Sequence, residues 1–136
     1  MCNNSLIYLA TPNASTIAQG GVLPLTTIVR RRGKAIQQSN DSIVLNEAGY
    51  YRVSVSETFT APATGIVSLS FRQDGVQIQG ATTSTSIATA TTEVDSLALD
   101  CIVRVGCCNA PSILTFVNSG VAINTSNIAV NVEYLD

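Results

Sequence analysis

Residues 46–69 read NEAGYYRVSVSETFTAPATGIVSL, and the order of side chains in this stretch decides the fold. A short polar turn ends at Gly49. Tyr51, Val53, Val55 and Phe59 then alternate with Arg52, Ser54, Ser56, Thr58 and Thr60. A two-residue period puts one set of side chains on each face of an extended chain, so this is a half-buried strand. Glu57 is the misfit, a carboxylate at a position where the period asks for an apolar group. Pro62 interrupts the pattern, and Val67, Leu69 and Phe71 resume it in a second strand. Asp74-Gly75 follows, the pair of residue types that a two-residue type I′ hairpin turn requires.

The same period recurs on both sides of this centre. Leu97, Leu99, Cys101, Val103, Val105 and Cys107 fall on one face of the segment 97–108, opposite Ala98, Asp100, Ile102, Arg104 and Gly106. Ile128, Val130, Val132 and Tyr134 share one side of 127–135. Residues 6–10 and 113–118 read as further strands, 22–29 around Pro24 as an edge strand, and 76–92 as an exposed strand containing a loop. The segment 119–127 reads as a polar loop. Helical capping signals and 3.6-residue spacing are absent, so the expected fold is all-β: a jelly-roll sandwich of about eight to ten antiparallel strands.

The chain of 136 residues is long enough for one core, and a single domain is expected over 1–136, with an N-terminal strand and arm at 1–21 and the main sandwich at 22–136. Charged residues make up 12% of it, about half the usual share of roughly 25%, and the mean hydropathy is +0.30. So much apolar surface on a small body predicts that part of it is covered, most simply by further copies of the same chain. A net charge of −2 favours neither nucleic acid nor an anionic bilayer, and no apolar run is long enough to span a membrane. The first residues, MCNNSLIYLATPN, lack the basic and apolar regions of an export signal, and a whole small gene product made in the cytoplasm is expected.

Catalysis is not expected. The chain has no histidine, the commonest general base and the usual activator of serine and cysteine nucleophiles. Glu93, Asp95 and Asp100 form the densest acidic group but lack the glycine-rich spacing of a calcium loop. Cys2, Cys101, Cys107 and Cys108 lack the histidine and the two-residue spacer of a zinc knuckle. Packed, buried thiols are the expected state, with a disulfide from Cys2 to the 107/108 pair as the alternative. No cofactor or metal is expected. Arg30, Arg31, Arg32 and Lys34 hold four of the seven basic residues. They read either as a solvated turn between edge strands or as a docking patch for an acidic partner, such as a capsid surface or envelope glycans.

Short motifs add a family resemblance. Ile43, Val44 and Leu45 followed by Glu47-Ala48-Gly49-Tyr50-Tyr51, then Leu69-Ser70-Phe71 before Gln73-Asp74-Gly75-Val76, and a last strand at the very C-terminus resemble the jelly-roll heads of the complement globular-head and tumour necrosis factor superfamily. The likeness is nearest to the C-terminal domains of spore-surface collagen-like glycoproteins. The chain also resembles small proteins encoded beside phage structural genes, which share an Ile-Val-Arg-Arg segment and a cysteine-rich strand. No collagen-like Gly-X-Y stalk is present. The resemblance implies a homotrimer whose inner sheet, built from the strands at Tyr50, Leu97 and Asn127 with the N-terminal strand, surrounds a three-fold axis. The faces turned away from the core would then contribute Arg52, Ser54, Ser56, Asp100, Ile102, Arg104, Asn131 and Glu133 to the subunit contacts. The implied role is structural and non-enzymatic: a trimeric capsid-decoration or head-fibre protein on a bacteriophage particle. The alternative is a surface adhesion module that recognises a glycan or host protein, or a spore-surface protein.

Overall fold

A computed structural model describes residues 5–135, and among them the chain forms eleven strands and no helix. They are β1 (Leu6–Thr11), β2 (Ser15–Ile17), β3 (Thr27–Arg32), β4 (Ile36–Ser39), β5 (Ser42–Leu45), β6 (Gly49–Thr60), β7 (Gly65–Gln73), β8 (Val76–Ile87), β9 (Asp95–Val105), β10 (Ser112–Asn118) and β11 (Ile123–Tyr134). A six-stranded sheet runs β3-β1-β11-β6-β9, with β2 paired to the start of β11. A five-stranded sheet runs β4-β5-β10-β7-β8. All pairings are antiparallel. Consecutive strands cross repeatedly from one sheet to the other, which is the winding of a jelly roll.

The alternation of residues 51–59 is realised in full. Tyr51, Val53, Val55 and Phe59 are buried between the sheets with Ile7, Leu9, Val103, Val130 and Val132. The facing sheet supplies Leu45, Leu69, Phe71, Leu114 and Phe116. Phe71 and Phe116 meet edge to face, with ring centroids 4.9 Å apart, the arrangement that places a positive ring edge on a negative ring face. Asp74 and Gly75, with φ of 53° and 84°, turn the β7–β8 hairpin as a type I′ turn demands.

Gly49 closes the turn before β6 in a conformation reserved for glycine. Its φ is 137°, and a Cβ there would stand 2.7 Å from the Tyr134 hydroxyl. That hydroxyl donates to the Ala48 carbonyl at 2.8 Å, and the Tyr51 hydroxyl donates to the Glu47 carbonyl at 2.6 Å. The two rings pack 5.0 Å apart, and burial pushes the Tyr51 phenol up to about 12. Gly49→Ala is therefore expected to cost about 1–3 kcal/mol of backbone strain, as well as displacing Tyr134. Urea unfolding that leaves the midpoint unchanged would contradict this account of the turn.

Several segments differ from their sequence reading. The strand count exceeds eight to ten because β2 and β4 are short strands with little apolar signal. Residues 119–127 are not all loop. β11 begins at Ile123, and its register with β6 shifts between Thr125 and Asn127, a bulge that breaks the two-residue period by which a strand is recognised. The expected strand over 22–29 starts only at Thr27, while Val22 makes a single bridge to Val117. Arg30, Arg31 and Arg32 are not a turn but the end of β3, an edge strand exposed at every position.

Glu57 faces the core, not a subunit contact. It is 1% exposed, its cross-strand neighbours are Leu97 and Ile128, and neither carboxylate oxygen has a hydrogen-bond partner. The misfit in the sequence is thus a real buried carboxylate, because β6 alternates strictly and position 57 belongs to its inner set.

Candidate functional site

The outer face of the six-stranded sheet collects every residue expected at a subunit contact. Cross-strand register arranges the face in rows. One row reads Arg32, Leu6, Glu133, Arg52, Ile102, and the next reads Arg30, Tyr8, Asn131, Ser54, Asp100. A third reads Ala10, Ala129, Ser56, Ala98. Arg104 stands opposite Tyr50 at the edge of the first row. The face thus grades from charged to small side chains along the strands.

The third row explains the shape of the surface. Alanine and serine leave the sheet uncovered, and an open groove of about 420 Å³ lies over Ser56, Ala98 and Ala129, bounded by Tyr8, Asp100 and Asn131. A smaller polar hollow of about 210 Å³ adjoins it between Arg52, Ser54, Asn131 and Glu133. Beside the groove, Ile102 is 54% exposed and Tyr8 37%. A sandwich whose core is complete on the inner side has no internal use for apolar groups here.

The electrostatics of the face centre on Arg52 and Asp100, paired at 2.9 Å, the one ion pair among the described residues. The hydrogen bond from Arg52 holds the Asp100 carboxyl below the usual carboxylate range, and the same contact raises the Arg52 guanidinium. Both side chains are about half exposed, 56% and 48%, so the pair adds little to the stability of a lone subunit. The contact holds the Arg52 guanidinium in one geometry against Asp100, which borders the groove.

The basic segment turns out to be continuous with this face. Arg30 pairs in register with Tyr8 and Arg32 with Leu6, so both lie on the outer face. Arg31 pairs with Ile7 and points to the other side. Arg30 donates to the carbonyl of Val29 at 2.9 Å. Lys34 lies in the exposed turn beyond Gly33. The acidic group found in the sequence is dispersed. Glu93 accepts from the backbone N–H groups of Ala88 and Thr89, each at 3.0 Å, Asp95 accepts from the Thr85 hydroxyl at 3.0 Å, and Asp100 is held by Arg52.

The cysteines require correction. Cys101 is on the inner side of β9 but only half buried, and burial with the neighbouring Asp100 carboxylate raises its thiol to about 11. Cys107 and Cys108 are exposed rather than buried, because β9 stops at Val105 and both residues fall in the turn that follows. All three are free thiols. Cys2 lies outside the described residues. The groove over Ala98 and Ala129 was missed by the sequence reading, since only cross-strand register brings those alanines into one row.

No protein-family model matches the chain, and no curated protein matches it in sequence. Solved structures do match over its full length. Murine APRIL at pH 8.5 superposes with a TM-score of 0.74 at 14% identity, covering 96% of this chain and 98% of that one. Eiger TNF from S. frugiperda gives 0.73 at 9% identity, over 98% and 92%. The PRD1 vertex protein P5 gives 0.66 at 14% identity, over 100% of both chains. The fold is accordingly the jelly roll of the tumour necrosis factor kind.

Proposed function

We propose that this chain is a non-enzymatic structural protein of a bacteriophage particle surface, assembled as a homotrimer. The observation that carries this reading is the likeness to a phage vertex protein over 100% of both chains. The assembly half draws support from the outer face of the six-stranded sheet. Its small-residue groove and its flanking Tyr8 and Ile102 are the surface a second copy would cover, and Arg52, Ser54, Ser56, Asp100, Ile102, Arg104, Asn131 and Glu133 would lie in or around that contact. Ion pairs there fix register more than they strengthen association, because desolvation offsets much of the attraction.

The exposed basic edge serves as the docking element in this reading. Arg31 points away from the proposed subunit contact and Lys34 is exposed in the turn beyond β3, both available to an acidic shell, while Arg30 and Arg32 border the contact. The test has two parts. Light scattering at micromolar concentration should return three times the 14.2 kDa chain mass, and a monomer would overturn the assembly. Antibody against the chain should label purified particles. A paired Arg31→Glu and Lys34→Glu variant should lose about tenfold or more in particle association while keeping its trimeric mass, since reversed charge repels an acidic partner. Particles that carry no label would overturn the virion role.

A further inference from the structure

The turn at 106–111 holds a feature that assembly does not use. On an extended strand, Cys107 and Cys108 would point to opposite faces, with their sulfurs far apart. Here the strand has ended. The Asn109 N–H donates to the Gly106 carbonyl at 3.0 Å, and the tightened turn brings the two Sγ atoms to 3.5 Å, both exposed and both free.

Both shoulders of the turn are anchored. Gln73 Nε2 donates to the Arg104 carbonyl at 2.9 Å on the β9 side and to the Ser112 hydroxyl at 3.0 Å on the β10 side. The Asp74 carboxylate accepts from the Ser112 hydroxyl at 2.7 Å and from the Ile113 N–H at 2.8 Å. The β7–β8 hairpin thereby clamps the two strand ends that flank the turn carrying the thiols.

We propose that Cys107 and Cys108 form a bidentate dithiol site for a thiophilic centre, a soft metal cation or trivalent arsenic. Two thiolates bound at about 2.3 Å to one tetrahedral centre stand about 3.8 Å apart, close to the separation already present. Closing a direct sulfur–sulfur bond of about 2.05 Å would need a much larger movement. Soft centres select thiolate over oxygen and nitrogen ligands. Among the described residues no cluster of three or more His, Cys, Asp or Glu side chains stands ready to hold a metal ion, so the pair offers two ligands and no protein cage. That suits centres satisfied by two sulfurs. Cys101 is excluded by its place on the inner side of β9.

The probe is phenylarsine oxide on the reduced full chain. Each arsenic forms two As–S bonds and the two thiol protons leave with the oxide oxygen as one water, so no oxidant is consumed. One equivalent should bind and remove two titratable thiols, and a dithiol should displace it far better than a monothiol. Cys107→Ser and Cys108→Ser should each lose about 10²-fold or more, because the second bond is intramolecular only when both thiols are present. Cys101→Ser and Cys2→Ser should bind as the parent does. Undiminished binding by either single variant at 107 or 108, or loss in Cys2→Ser, would overturn the site. Unchanged thermal melting of all four variants would show that a lost fold is not the cause.

Discussion

Between about pH 4.5 and pH 8 the folded chain is expected to lose about 3 kcal/mol of stability through Glu57 alone, a loss that Glu57→Gln should abolish. The carboxyl is sealed between the sheets without a hydrogen-bond partner, and burial pushes it from 4.5 up to about 7. Below 4.5 the group is protonated in both the folded and the unfolded chain. Between 4.5 and about 7 the folded chain keeps a proton that the unfolded chain has released, so stability falls as the pH rises. Above about 7 both forms are ionised and the loss levels off. The sign is opposite to that of a salt-bridged carboxylate such as Asp100, whose contribution fades as the pH falls. Urea unfolding of parent and Glu57→Gln across this range isolates the effect, since the other carboxylates cancel in the difference. Glu57→Leu should stabilise further at pH 8, because an amide also leaves polar atoms unpaired in the core. A parent-to-variant difference that stays flat from pH 4.5 to pH 8 would rule out a buried, titrating Glu57.

The second large effect concerns the row of small side chains. Ala129→Arg is expected to convert the proposed trimer to monomer at micromolar concentration while leaving the sandwich folded. Position 129 faces outward on β11, between Ala10 and Ser56 in register, so an arginine there reaches solvent in a lone subunit. In a subunit contact the same arginine is an unpaired, desolvated charge that fills the groove. Such a charge costs about 3–5 kcal/mol, equivalent to about 10²-fold or more in dissociation constant. Ile113→Arg is the control. Ile113 is exposed on the five-stranded sheet, away from the groove, and its replacement should leave the mass unchanged. An Ala129→Arg protein that still scatters as three chains would remove the groove from the assembly.

What could be read from sequence followed from how strongly each face is buried. Strands with one apolar and one polar face declared themselves: β6, β7, β9 and the later half of β11 have the inner residues that the two-residue period assigns. β3 is exposed on both faces, so its arginines carry no alternation and looked like a turn. The early half of β11 is polar and interrupted by a bulge, and it looked like a loop. Alternation was also extended too far, carrying Cys107 past the end of β9 onto a face it does not share. The candidate contact residues were correctly placed on one outer face because they are simply the complement of the core set. The groove was not legible, since it depends on which alanine of one strand lies beside which serine of another. Nor was the continuity of Arg30 and Arg32 with that face, which rests on a register shift between Tyr8 and Leu9.

The backbone N–H of Tyr134 donates to the carbonyl of Ser5 at 2.9 Å, joining the first and last described strands at one end of the sandwich. The turns at 46–48 and 106–111 lie at that same end, since Gly49 pairs with Val105 and Tyr51 with Tyr134. A dye or heavy-atom tag on the thiol pair would therefore report on this pole, where Ser5 and Tyr134 also meet. The far pole, formed by the loops at 61–64, 88–94 and 119–122, would stay unobstructed. The molecule thus has one pole where a label can be carried and an opposite one left open for contact.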